Sequence, residues 1–167
     1  PEQAAAIYED MQQVIAQNLQ LTLNIPTGIG LVDRNQLANI IKRQSLEVEP
    51  AITLDPNKTL GIYARRGIRR GIYIQTGLPR SLFLQIAAHE FAHAWQGENC
   101  PTILEFFYNE GLAEWVAYKV LGYYGYTNMQ ERMLARDDMY GQGLKWALDL
   151  EQANGWQAVK QACQTVR

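Results

Sequence analysis

The stretch Ser81-Leu82-Phe83-Leu84-Gln85-Ile86-Ala87-Ala88-His89-Glu90-Phe91-Ala92-His93-Ala94-Trp95-Gln96 decides how this chain is read. Its apolar residues fall on nearly every side of a helical projection, which predicts a central buried helix over 81–96. His89, Glu90 and His93 are set into it, and no other histidine occurs in the 167 residues. Residues four apart on a helix share a face, so both imidazoles can reach a single metal ion. Glu90, turned about 100° from His89, stands beside the open coordination position rather than on the metal.

Such a His-Glu-x-x-His pattern has a definite chemical use. A zinc ion (Zn2+) held by three protein groups keeps a position for water and lowers the pKa of that water to about 7. A carboxylate beside it can take the proton and return it to a leaving amine, which is the role assigned to Glu90. The competing reading is two core histidines with an accidental glutamate. Burying two imidazoles and a carboxylate without partners is costly, and a metal is the economical partner.

A third ligand is expected from the next helix, where Asn109-Glu110-Gly111-Leu112-Ala113-Glu114 follows. Glu110 and Glu114 share a face with Ile103, Phe106, Phe107, Ala117, Tyr118 and Leu121, so they are not solvated decoration. Glu110 is read as the third ligand and Glu114 as an acceptor for a histidine N–H, with the exchange of those roles left open. Hydrolysis of a peptide also needs a donor for the oxyanion. With no histidine left, a tyrosine or arginine must serve. Tyr140 in Tyr140-Gly141-Gln142-Gly143 is the choice, with Tyr123, Tyr124 and Tyr126 as competitors.

Outward from this centre the pattern is α+β. Helices are predicted over 2–20, 34–43 (capped by Asp33), 101–121, 129–136, 141–152 and 155–165. Leu21–Asn24 reads as the start of an extended stretch, Ile29–Val32 as a short strand, and 50–56 as a loop. Thr59–Ala64 and Gly71–Thr76 read as two strands joined through the arginine-rich Arg65–Arg70. An exposed sheet edge can hold an extended substrate by backbone pairing, and Gly71–Thr76 or its neighbour is the candidate. Arg65, Arg66, Arg69 and Arg70 read first as a solvated turn and second as an attractor of acidic substrate. Gly122–Thr127 is a Gly/Tyr-rich loop. The whole, 1–167, is taken as a single domain with a strand-containing part over 1–78 and a helical part over 79–167.

Composition narrows the partners. A net charge of -2 gives no case for nucleic acid or an anionic membrane, and no apolar run is long enough to cross a bilayer. The chain opens at Pro1 without a methionine, as a trimmed piece would. Cys100 and Cys163 are far apart and form no Cys-x-x-Cys pair. They are open to pairing, but reduced thiols in the cytoplasm are the slightly favoured expectation.

The order His-Glu-x-x-His, then Asn-Glu-x-x-x-acid, resembles the gluzincin class of metallopeptidases, whose thermolysin-like members use two histidines and a glutamate. More narrowly, the chain resembles the catalytic domain of the DA-one-like peptidases, the ubiquitin-activated, LIM-domain-associated growth-control enzymes of plants with bacterial relatives. The resemblance is carried by Gly77-Leu78-Pro79-Arg80, Ala88-His89-Glu90 through His93-Ala94-Trp95, Glu110-Gly111-Leu112 and Tyr140-Gly141-Gln142-Gly143. Gly30-Leu31-Val32-Asp33-Arg34 is a weaker match. It implies a zincin-like fold, zinc on His89, His93 and Glu110, Glu90 as catalytic base, and a protein or peptide substrate. In that family the position of Glu114 is often an amide and that of Tyr118 a histidine, so the role of Glu114 rests on local reasoning. The chain carries no LIM domain or ubiquitin-interacting segment, and ubiquitin is not implied as a partner. Two rival readings remain: a metal-bound module that binds a protein without cleaving it, and a structural zinc site with Cys100 as fourth ligand.

Overall fold

Helix α1 (Glu2–Leu19) buries Tyr8, Met11, Ile15 and Leu19, spaced three or four apart along one face. Val14 is half-buried at the margin of that face. The computed structural model describes residues 2–47, 58–66, 69–100 and 105–165, with side chains at 45–47 left aside. The loop expected over 50–56 lies outside the described residues. Gln20, at φ 52°, stops the helix, and Lys160 donates to its carbonyl at 2.8 Å.

No strand forms over Leu21–Asn24. The backbone N–H groups of Asn24 and Ile25 donate to the Glu98 carboxylate at 2.8 and 3.0 Å, which removes the donors a strand would need. Strand β1 (Gly28–Val32) follows, then helix α2 (Arg34–Glu47). Asp33 accepts from the Gln36 N–H while the Gln36 amide accepts from the Asp33 N–H, a reciprocal cap.

Strands β2 (Gly61–Arg66) and β3 (Arg69–Gln75) pair antiparallel, and β1 pairs parallel to β3, giving the order β1-β3-β2. The stretch around Gly71–Thr76 is therefore the central strand, and its neighbours β1 and β2 are the edges among the described residues. The four arginines belong to the ladder, with Arg65 opposite Arg70 and Arg66 opposite Arg69, and Arg65, Arg66 and Arg69 are exposed as a solvated reading expects. Like charges directly opposed work against pairing, and Glu98 relieves one of them by its ion pair with Arg70 at 3.2 Å.

After Gly77, whose φ of 81° suits a residue without Cβ, helix α3 (Arg80–Asn99) begins behind Pro79. As the all-round apolar pattern predicts, Phe83, Leu84, Ala87, Ala88, Phe91, Ala92, Ala94 and Trp95 are buried. Helix α4 (Phe106–Tyr123) is still more enclosed, with an unbroken buried run from Glu110 to Ala117. It starts at Phe106 rather than at Pro101–Thr102, because Glu105 is extended (φ −55°, ψ 139°) and its carbonyl receives the first helical N–H groups. Residues 101–104 lie outside the description. The expected loop from Gly122 is shortened, since α4 runs to Tyr123 before the chain reverses.

Helices α5 (Thr127–Leu134), α6 (Met139–Asn154) and α7 (Trp156–Thr165) complete the chain. The described residues thus form seven helices and a three-stranded mixed sheet, an α+β architecture. One core joins α1, β3, α3, α4, α6 and α7. Helices α4 and α6 touch backbone to backbone: a Cβ on Gly111 would lie 2.9 Å from the Gly143 carbonyl oxygen, and one on Gly143 would lie 2.9 Å from the Gly111 Cα.

The expectation of reduced thiols is overturned, since Cys100 and Cys163 form a disulfide with their Cα atoms 5.7 Å apart. The reason is tertiary. Helix α7 folds back over the end of α3, where the Lys160 ammonium sits 5.6 Å from the centre of the Trp95 ring. That crossing brings the last turn of α7 to the residue that caps α3, and the argument from reduced thiols to a cytoplasmic location goes with it.

Candidate metal centre

Successive turns of α3 carry His89 and His93 with their Nε2 atoms 3.0 Å apart. Facing them from α4 is the Glu110 carboxylate, whose Oε2 lies 3.2 Å from His89 Nε2 and whose Oε1 lies 3.4 Å from His93 Nε2. The two contacts use different oxygens. With one ligand atom taken from each residue, all three lie within 4.8 Å of one another. Two imidazole nitrogens and a carboxylate oxygen converging in this way can hold a metal ion.

Each histidine is oriented through its other nitrogen. His89 Nδ1 faces Glu114 Oε1 at 3.2 Å, and His93 Nδ1 faces Gln96 Oε1 at 2.8 Å. An N–H at each Nδ1 satisfies these acceptors and leaves both Nε2 lone pairs aimed at the shared point. Gln96 is itself held, since its amide donates to the Asn109 carbonyl at 2.7 Å, and so ties α3 to α4 beside the site.

Burial is what makes these carboxylates significant. Glu110 is 6 % exposed and Glu114 5 %. Burial alone would raise the Glu110 carboxyl, but His93 and His89 outweigh it and hold it well below the usual carboxylate range. The converse holds for His89: burial disfavours its cation, yet Glu110 and Glu114 keep its pKa well above the ordinary value. His93 shows the same balance, with burial opposed chiefly by Glu110. The pocket is built for positive charge, supplied by protons or by a metal ion in competition with them.

Glu90 sits one residue after His89 and accepts a hydrogen bond from the Tyr63 N–H at 2.7 Å. This bond docks the edge strand β2 against α3 beside His89. Tyr140, in the first turn of α6, is brought near by the Gly111–Gly143 contact. Burial raises its hydroxyl pKa, and the Glu110 carboxylate raises it further. Among the competing tyrosines, Tyr124 donates to Asp10 on α1, and Tyr123 is exposed beside Lys119 and Glu151. Neither is engaged with the histidines. Tyr126, half-buried, starts α5 with its carbonyl.

Arg136 was not foreseen. It lies between α5 and α6, with its guanidinium 4.8 Å from the centre of the Tyr140 ring and 3.7 Å from Glu114 Oε2. That oxygen is buried and has no hydrogen-bond partner, so Arg136 is the charge that answers it. Asp138 fixes the arginine from the other side at 2.7 Å and caps α6 by accepting from the Gly141 N–H at 3.0 Å. No local signal links Arg136 to Glu114, because they meet only through the packing of α4 on α6. Gln96 was discoverable: it lies three residues after His93, on the same helical face.

The structural-zinc reading loses its fourth ligand, since Cys100 is paired with Cys163. No helix among the described residues is long and apolar enough to cross a membrane. Compared with the models of known protein families, with curated proteins and with solved structures, the chain matches none of them.

Proposed function

We propose that this protein is a zinc-dependent metallopeptidase of the gluzincin type, with a zincin-like arrangement related to the DA-one-like peptidases. The observation that carries the reading is the convergence of His89, His93 and Glu110, with Glu90 beside them and the histidines oriented from behind. Ligand atoms about 2.0–2.1 Å from a tetrahedral zinc are separated by about 3.3–3.4 Å. The Nε2–Nε2 separation of 3.0 Å is close to that, while the 3.2 and 3.4 Å approaches of Glu110 use different oxygens, so holding an ion through one of them takes a turn of the carboxylate.

Zinc held by His89, His93 and Glu110 would supply Lewis acidity and a bound water of lowered pKa. The protein's own groups do the rest. Glu90 takes a proton onto its carboxylate and returns it to the leaving amine. Tyr140 donates a hydrogen bond from its hydroxyl to the oxygen that develops charge. Glu114 and Gln96 hold the imidazoles in register, and Arg136 neutralises Glu114. The outer edge of β2, meeting Glu90 at Tyr63, presents backbone groups to an extended protein or peptide substrate.

The Tyr63–Glu90 bond also gives some support to a second reading, a metal-bound module that captures a peptide strand without cutting it. The two part at Glu90. Zinc-loaded protein is expected to cleave a mixed peptide library, a chelator to stop it, and Glu90→Gln to abolish cleavage while retaining zinc. Cleavage by Glu90→Gln at the wild-type rate would sink the proposed base, and no cleavage by zinc-loaded wild type would favour the binding module.

A further inference from the structure

The outer edge of β2 is occupied by side chains that imitate a paired strand. In an antiparallel ladder alternate residues turn both N–H and C=O to the same side. On β2, Tyr63 and Arg65 turn theirs away from β3. The Tyr63 N–H is taken by Glu90. At Arg65 the Gln44 side chain from α2 does both jobs: its Oε1 accepts from the Arg65 N–H and its Nε2 donates to the Arg65 carbonyl, each at 3.3 Å. A primary amide with one donor and one acceptor so placed has the hydrogen-bonding pattern of a residue in a neighbouring antiparallel strand.

Charge marks the same edge. Of the four arginines in the hairpin, Arg70 is spent on Glu98. Arg65, Arg66 and Arg69 are exposed, and no ion pair engages them among the described residues. Successive strand residues face opposite sides, so Arg65 and Arg66 flank the edge from both faces. A peptide paired antiparallel to β2 brings side chains to about 4.5–5.5 Å, Cβ to Cβ, from the residues opposite them.

Resting on the peptidase reading, the geometry points to a substrate class: extended segments with acidic residues on the amino-terminal side of the cut bond. The direction follows from the pairing. The substrate runs against β2, so its residue opposite Arg65 lies two residues before the one opposite Tyr63, where Glu90 stands. Aspartate or glutamate there meets Arg65, and its amino-terminal neighbour meets Arg66. The Gln44 amide is displaced as the peptide backbone takes over its two bonds.

The test uses zinc-loaded full chain in two arms. In the first, a randomised decapeptide library is digested and cut sites are read by mass spectrometry. Asp and Glu are expected to be enriched about two- to fivefold at two consecutive positions, the second and third before the cut if the bond on the amino-terminal side of the residue opposite Tyr63 is cleaved and the third and fourth if the bond on its other side is. Arg65→Glu combined with Arg66→Glu is expected to turn that enrichment towards Lys and Arg. Cleavage without acidic enrichment, or enrichment that survives the charge reversal, overturns this inference and leaves the peptidase reading standing. In the second arm, Glu90→Gln protein is titrated with a fluorescein-labelled acidic decapeptide and its neutral counterpart. Tighter binding of the acidic peptide, lost on charge reversal and strengthened roughly fivefold by Gln44→Ala, supports the inference even if no cleavage is seen. Equal binding of the two peptides, or weaker binding in Gln44→Ala, overturns it.

Discussion

The helical centre and the hairpin edge treat polar groups in opposite ways. Along α3 and α4 each polar side chain of the centre is enclosed and answered: His89 by Glu114, His93 by Gln96, and Glu110 by both imidazoles. Along β2 the backbone groups of Tyr63 and Arg65 are answered only by side chains, and the arginines beside them face solvent. Burial makes each partner in the centre expensive to lose. Exposure makes the edge tolerant of exchange, which suits a surface that takes in a passing chain.

That contrast can be broken at several points. The largest effect is expected at Glu90→Gln, where kcat should fall by about 10²–10⁴ with zinc content unchanged, as read by steady-state cleavage and metal analysis. Next comes Tyr140→Phe, with kcat/KM lower by about 10²–10³ and little change in KM.

Smaller effects sharpen the comparison within the centre. Glu114→Gln and Gln96→Ala are each expected to weaken zinc by about 10–100-fold without removing a ligand, measured by competition with a chromophoric chelator. Equal zinc affinity in both variants and wild type would mean the imidazoles need no support from behind. Gly143→Ala forces a methyl group against the Gly111 backbone and should cost about 1–3 kcal/mol in thermal unfolding.

The smallest effect concerns the α6 cap. Asp138→Ala should cost about 1 kcal/mol. Burial raises the Asp138 carboxyl, but Arg136 and the Gly141 N–H together outweigh it and set the folded pKa below the unfolded one. Its contribution is therefore present above the unfolded value, about 3.9, and is lost as pH falls through the folded one. Asp138→Asn keeps the cap and lacks the titration, so its stability should fall less steeply than that of wild type as pH drops below 4. Asp138 is half-exposed, so solvent screening keeps the difference small.

What could be read in advance was local. The i, i+4 relation of His89 and His93 depends only on helix geometry. Glu110 and Glu114 stood out because carboxylates on an apolar stripe need a reason. The all-round apolarity of 81–96 and the alternation in 71–76 gave the elements, whereas the ends of α4 and the extent of the arginine ladder depended on contacts with distant residues. Pairing of Cys100 with Cys163 was open in the sequence and was misjudged, because their approach needs α7 to fold over α3.

By itself, then, the sequence determined an α+β chain with a buried helix bearing two imidazoles and a carboxylate, since periodicity and residue chemistry act within a few turns. Tertiary structure alone decided that β2 is an edge strand, that Glu90 receives the Tyr63 N–H, that Arg136 answers Glu114, and that Gln44 sits where a strand would pair. Those relations join segments far apart in sequence, and packing between layers sets them where no local preference can.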